Sequence, residues 1–223
     1  MSPDVVWEER FDRSALRDFI KTCGNFKLIS GSVLGYELHD IIGAVFSTDI
    51  LGAYCDYLES DEVAVSFEFA FARYARPGWT LADSPYHQDS MAVGADPIIS
   101  TWIPLDDAGE ETPGLEIVHC RVDDIYKPTE HARTNHGAAE LDEASVTRLF
   151  SDYLWRPVCR AGDALAFDGH TIHRTWKTES MTRTRRSLEF RTMATGLMPE
   201  IWRTHPHATF SGQGNVLSMY VGE

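Results

Sequence analysis

Apolar residues recur along this chain in two rhythms, and the switch between them organises the molecule. Residues 14–20, behind an Asp12 or Ser14 cap, and residues 48–58, behind Ser47 or Thr48, place apolar groups at helical spacing. In the second segment Ile50, Leu51, Tyr54 and Leu58 form one stripe, which predicts a helix laid on a core. From Glu62 the period becomes two. Val63, Val65, Phe67, Phe69 and Phe71 alternate with smaller or polar neighbours, so a strand is predicted with those five on one face.

Further strands are predicted over 98–105 and 115–118, the latter entered through the turn Thr112-Pro113-Gly114. Residues 123–140 are polar and read as a long loop, of a length that often covers a site. A helix over 142–154 would carry Val146, Leu149, Phe150 and Tyr153, and strands resume over 156–159, 164–167, 171–176 and 185–193. Helices first and many short strands afterwards predict a mainly β, double-sheeted barrel with N-terminal and flanking helices outside it. No repeat or linker interrupts the pattern, so residues 1–223 are expected to form a single domain.

Charge and cysteine content narrow the partners. With 34 acidic against 20 basic residues the net charge is −14, which opposes non-specific nucleic-acid binding. Apolar runs such as 41–46 are far too short to span a membrane, and Met1-Ser2-Pro3-Asp4 lacks a signal pattern. Cys23, Cys55, Cys120 and Cys159 have no CxxC spacing, so reduced thiols in a cytoplasmic protein are expected. Charge does not identify a partner, because an acidic surface serves solubility alone. Composition leaves the oligomeric state open.

Candidate chemistry centres on His87-Gln88-Asp89. In an extended segment residues two apart project to one side, so His87 and Asp89 could reach one ion. His173, on a separate apolar strand, could complete two imidazoles and one carboxylate, the facial set that holds non-haem Fe(II). Alone, His-x-Asp more often means a surface turn. The ensemble changes that reading, because Gly162-Asp163-Ala164-Leu165-Ala166-Phe167 forms a turn and strand leading to His173, and Arg185-Arg186 follows. An arginine there suits a dicarboxylate co-substrate. Pleat separates the two candidates: Arg185, Ser187, Glu189 and Arg191 share one face, Arg186, Leu188 and Phe190 the other. The small Ser187 leaves room for a ligand and favours Arg185, while Arg186 stays open as the alternative.

The chain resembles the phytanoyl-CoA dioxygenase family of Fe(II)/2-oxoglutarate-dependent oxygenases. The resemblance rests on Tyr86-His87-Gln88-Asp89, Trp102-Ile103-Pro104-Leu105-Asp106-Asp107, Pro113-Gly114-Leu115-Glu116-Ile117-Val118, Gly162 to Asp168, and His173 with Arg185-Arg186-Ser187-Leu188. These segments run in the family's order and cover residues 62–193. The resemblance implies a double-stranded β-helix, or cupin-like jelly roll, with the metal at its mouth. It implies that His87, Asp89 and His173 are the catalytic metal ligands, that Arg185 binds the distal carboxylate of 2-oxoglutarate, and that Thr175 assists it. Fe(II), 2-oxoglutarate and O2 would then be the cofactor and co-substrates of a hydroxylase whose partner is a small-molecule substrate and which releases succinate and CO2. His119-Cys120-Arg121 replaces the Gly-Ser-His step frequent in the family, and no basic run offers a seat for CoA phosphates.

Other residues receive weaker readings. His170, three from His173, would face the opposite side of a strand and is a substrate-side candidate with Trp102 and Arg121. His205-Pro206-His207 reads as a surface turn, Asp106-Asp107 as a turn, and His119, His131 and His136 as loop residues that could contact substrate. Two other functions compete: a jelly-roll protein that binds a ligand without turnover, and a zinc-dependent hydrolase or isomerase on the same barrel.

Overall fold

The computed structural model describes residues 29–30, 48–78, 83–130, 139–214 and 216–220. The helix expected over 14–20, together with Cys23, His131 and His136, lies outside them. Among the described residues the chain runs β1 (Ile29–Ser30), α1 (Thr48–Tyr57), β2 (Glu62–Ala75), α2 (Asp89–Val93), β3 (Ile99–Pro104), β4 (Gly114–Val118), α3 (Glu143–Phe150), β5 (Leu154–Trp155), β6 (Leu165–Asp168), β7 (His173–Trp176), β8 (Arg185–Ala194), α4 (Glu200–Arg203), β9 (His207–Ser211) and β10 (Val216–Tyr220).

Two antiparallel sheets form the jelly roll that the strand pattern predicts. The larger orders its strands β10-β9-β2-β8-β3-β6, with β1 on β2, and the smaller orders β5-β4-β7. A bridge between His87 and His173 adds the segment before α2 to the free side of β7. The main core lies outside the larger sheet. There Ile50, Leu51, Tyr54 and Leu58 press onto Val63, Val65, Ile103, Leu188 and Phe190. Each such apolar side chain contributes about 1.5–3 kcal/mol when fully buried. A smaller cluster between the sheets holds Trp102, Leu115, Ile117 and Leu165. Among the described residues no helix is long and apolar enough to cross a membrane.

Four local expectations change. The β2–β8 register shifts between Ser66 and Phe71. That irregularity reverses the pleat, so Phe67 stays in the main core while Phe69 packs on Trp202, ring centroids 5.7 Å apart. Phe71 instead lies beneath the guanidiniums of Arg73 and Arg191. In α3, capped by Asp142 accepting from the Ser145 amide, only Val146 is buried, and Leu149 and Tyr153 are exposed. Over 156–159 a lone bridge from Cys159 to Ala108 replaces the expected strand. His205-Pro206-His207 leads into the β9–β10 hairpin, with His207 opposite Tyr220.

Strand β8 is buried on both faces. Leu188 and Phe190 face α1, whereas Arg185, Ser187, Glu189 and Arg191 are also buried, on the opposite pleat. Apolar residues there would have sealed the two sheets together. Polar ones leave a chamber.

Candidate active site

Antiparallel pairing brings the two histidines together. The His87 amide donates to the His173 carbonyl and the His173 amide to the His87 carbonyl, each at 3.1 Å. Gln88 remains extended, and α2 begins at Asp89, not the continued strand assumed from sequence. The carboxylate still reaches back beside the rings. Its oxygens lie 3.5 Å from His87 Nε2 and 3.8 Å from His173 Nε2, and the three ligand atoms fall within 4.8 Å of one another.

Two glycines shape the surroundings of α2, one at its end and one in the β6–β7 turn. Gly94, at φ 64°, ends the helix in the left-handed conformation that glycine adopts most readily. Gly169 lies so close to the helix that a Cβ there would stand 2.0 Å from Ser90 Oγ and 2.5 Å from Ile98 Cγ1. Its carbonyl accepts the Ser90 amide at 3.0 Å, tying the helix start to the turn that leads into His173.

Hydrogen bonds fix the protonation of both rings. His87 Nδ1 lies 2.8 Å from the Pro85 carbonyl and His173 Nδ1 3.0 Å from that of Thr171. A carbonyl only accepts, so each Nδ1 carries a proton and each Nε2 is turned towards Asp89. Burial, with repulsion from His87, pushes the His173 pKa down to about 4, so this ring is neutral at ordinary pH. Burial alone would raise the Asp89 carboxyl. Arg191 and the two histidines outweigh it and hold the group well below the usual carboxylate range.

Asp89 is gripped on both oxygens. Ser100 Oγ donates to Oδ2 at 2.5 Å and Arg191 Nη2 to Oδ1 at 2.9 Å. Arg191 also reaches Glu189 Oε2 at 3.4 Å, and Glu189 Oε1 lies 2.8 Å from Arg73 Nε. Sequence reading placed Glu189 and Arg191 on the face of Arg185 but gave them no role. Three charges on one pleat face were the available signal. Ser100 and Arg73, on other strands, left none.

Arg185 and Arg186 part company. Arg186 forms a fork with Asp106, its Nε 2.9 Å from Oδ2 and its Nη2 2.5 Å from Oδ1. Arg185 is 2 % exposed, and its Nε and Nη1 have no hydrogen-bond partner. Its Cζ lies 5.2 Å from the Trp102 ring centre. Burial pushes its pKa down to about 10, which still leaves it cationic. The Ser187 hydroxyl and the Trp102 indole nitrogen are buried without partners as well. Unsatisfied buried donors are costly, and a cation with two of them suits a bidentate carboxylate.

A narrow space of about 10 Å3 runs between the sheets, lined among others by His87, Trp102, Phe167, His173, Thr175 and Arg191. That admits one water, so a dicarboxylate can enter only if lining side chains part. Thr175, two beyond His173, accepts the Ser84 amide at 3.1 Å. Of the three substrate-side candidates only Trp102 lines this space. The Arg121 side chain is solvent-exposed on Asp123, and His170 Nε2 pairs with Asp96 at 3.0 Å. His119 is exposed beside Trp155.

Two supporting residues escaped sequence reading. Gln88, buried between the ligands, donates to the carbonyls of Asp124 (2.8 Å) and His170 (2.7 Å) and accepts the Tyr126 amide at 2.7 Å. It fastens the start of the long loop. Glu116, fully buried, accepts from Tyr86, Arg156 and Arg174, lacing together the neighbours of His87 and His173. Nothing in a local sequence window marks either contact.

Comparison with known proteins gives a consistent picture. A family model described as phytanoyl-CoA dioxygenase matches residues 37–187. No curated protein matches the sequence. Similar solved structures include EctD from S. alaskensis with bound Fe, 13% identical over 88% of this chain and 74% of that one, with a TM-score of 0.62. EvdO2 from Micromonospora carbonacea var. aurantiaca, complexed with 2-oxoglutarate, is 14% identical over 86% of each chain, with a TM-score of 0.54. SnoK, a non-heme alpha ketoglutarate dependent carbocyclase from nogalamycin biosynthesis, is 15% identical over 82% of this chain and 73% of that one, with a TM-score of 0.54. At these identities the likeness establishes the fold.

Proposed function

The chain belongs to the phytanoyl-CoA dioxygenase family, and on that premise we propose that it hydroxylates a small molecule at a centre held by His87, Asp89 and His173. It is a non-haem Fe(II)- and 2-oxoglutarate-dependent oxygenase by family. The single observation that carries the site assignment is the triad together with a buried Arg185 whose Nε and Nη1 lack partners, packed on Trp102, which lines the same space as His87 and His173. A metal-binding site alone would need no such cation. A dicarboxylate co-substrate does.

When bound, Fe(II) with 2-oxoglutarate supplies O2 activation and the oxidant for attack on a C–H bond, with succinate and CO2 as products. The chain's own residues do the rest. His87 and His173 offer Nε2 atoms whose orientation is set by carbonyls behind them. Asp89 contributes one negative charge to the dication, and Ser100 and Arg191 prevent it from turning away. Arg185, with the Ser187 hydroxyl and the Trp102 indole nearby, receives the distal carboxylate, and Thr175 stands beside the ligand histidine. Phe167 packs against the His173 ring at 4.7 Å between centroids and limits water there.

Asp89 favours hydroxylation over halogenation, because a carboxylate fills the coordination position that a halide would need. Carbocyclase activity is attributed to SnoK on a similar fold, so the outcome depends on where the substrate's carbon is placed. The setting proposed is cytoplasmic, where thiols such as Cys55, Cys120 and Cys159 stay reduced.

The test needs no substrate. Anaerobic addition of Fe(II) and 2-oxoglutarate should produce the visible charge-transfer absorption of a chelated keto acid, and O2 should then yield slow succinate release. No such absorption, with Fe(II) bound, would overturn the proposal and favour a ligand-binding or zinc-hydrolytic role.

A further inference from the structure

Beyond the three ligands, charge alternates along a buried row. Asp89 Oδ1 accepts Arg191 Nη2 at 2.9 Å, the same nitrogen lies 3.4 Å from Glu189 Oε2, and Glu189 Oε1 lies 2.8 Å from Arg73 Nε. Arg73 ends on Ser84 Oγ at 2.9 Å. All four charged residues are buried. None of the last three is itself among the candidate ligands.

We propose that Arg191 and Glu189 set the affinity of the site for its metal by charge. The inference rests on metal binding at His87, Asp89 and His173. With the site metal-free, Asp89 would be a buried carboxylate lacking a cation, a costly arrangement that Arg191 relieves. An entering dication finds Asp89 already shared with that guanidinium and is repelled by it. Glu189, on the far side of Arg191, offsets the repulsion, and Arg73 in turn tempers Glu189. Both arginines oppose the ion, Glu189 favours it, and the nearer charge has the larger effect.

Deleting one charge from the row therefore changes affinity in a direction set by its sign. At an effective dielectric near 20, a change of well over tenfold is expected for Arg191 and of roughly tenfold or more for the more distant Glu189. A merely structural role predicts another pattern. Losing either residue would loosen Asp89 and weaken binding, and losing Arg73, which does not touch Asp89, would change nothing. Removing Arg191 leaves Asp89 held by Ser100 and Glu189 held by Arg73, so the site keeps its shape.

The experiment titrates the full-length, chelator-stripped protein with Co(II), following its visible absorption. Arg191→Met should bind Co(II) well over tenfold more tightly, Glu189→Gln about tenfold more weakly, and Arg73→Met more tightly by a smaller factor than Arg191→Met. Arg191→Lys should restore near wild-type affinity, and the band shape should persist throughout because the ligands are unchanged. Weaker or unchanged binding in Arg191→Met overturns the proposal. Should that variant fail to fold, unchanged affinity in Glu189→Gln or Arg73→Met overturns it equally. Asp89→Ala is the separate control: if it binds Co(II) like the wild type, the metal assignment itself fails, whatever the sign pattern.

Discussion

His87 and His173 are joined by reciprocal backbone hydrogen bonds, so the two imidazoles are held as neighbours without any contribution from the rings themselves. Their centroids lie 4.3 Å apart. Replacing either ring by a methyl group leaves that pairing in place. His87→Ala and His173→Ala should each lose Fe(II) binding while the metal-free protein keeps its circular dichroism spectrum. A collapsed spectrum would mean that the rings also hold the sheet.

Arg185 and Arg186 should separate cleanly on mutation. Arg185→Met removes a charge-assisted pair worth about 1.5–3 kcal/mol, a loss of roughly 10- to 100-fold in 2-oxoglutarate affinity. Arg186→Met breaks only the half-exposed fork to Asp106 and should leave that affinity unchanged. Titrating 2-oxoglutarate into the Fe(II) protein without O2 distinguishes the two.

Gln88 joins the proposed metal-binding segment to the loop beginning near Asp123. Gln88→Ala strands the Tyr126 amide and two carbonyls, so amide hydrogen exchange should accelerate over 123–126. Fe(II) affinity should change little. If exchange there is unaltered, the loop is held by other contacts.

Gly169→Ala tests the close approach behind Asp89. The added methyl collides with Ser90 and Ile98, an overpacking that costs about 1–3 kcal/mol. Because Ser90 follows Asp89, metal affinity should fall along with melting temperature. A normal Kd for metal in a destabilised protein would show that α2 shifts without moving its first residue.

His170 predicts a pH dependence away from the metal. Partial burial disfavours its charged form, but Asp96 at 3.0 Å, aided by Asp168, more than offsets this and raises its pKa above 6.5. The folded state therefore binds the proton more tightly. Its contribution to stability is complete below pH 6.5 and disappears as pH rises through the raised value. The pair is partly solvated, so the effect is small. Urea unfolding from pH 5.5 to 8 should show the slope in the wild type and lose it in Asp96→Asn.

Much of this was legible in the sequence because it is written in short-range pattern. Short apolar runs bounded by turn residues located β3, β4, β6, β7 and β8 closely, the stripe from Ile50 to Leu58 located α1, and the pleat parity of Arg185 and Arg186 separated their environments. Features that depend on partners far along the chain were hidden. The irregularity in β2 arises from its pairing with β8, and a five-residue helix at Asp89 has too little periodicity to register. Arg121 and His170 were candidates by proximity to a motif, yet their nearest carboxylates, Asp123 and Asp96, engage them outside the chamber. Gln88 looked like a spacer because its three partners are all backbone atoms, which carry no residue signature.

Two buried faces on β8 have a consequence for how its alignment is specified. Elsewhere a one-residue slip exchanges wet for dry positions and is excluded by solvation. Here a slip would bring Arg186 into the place of Arg185, one guanidinium for another, while setting Leu188 and Phe190 where Ser187 and Glu189 stand, leaving Thr192 opposite Asp89 and turning Glu189 and Arg191 towards α1. The tandem arginines would conceal such an error from the co-substrate. The carboxylate of Asp89 would not overlook it, so ion pairing, more than oil-and-water sorting, proofreads this strand.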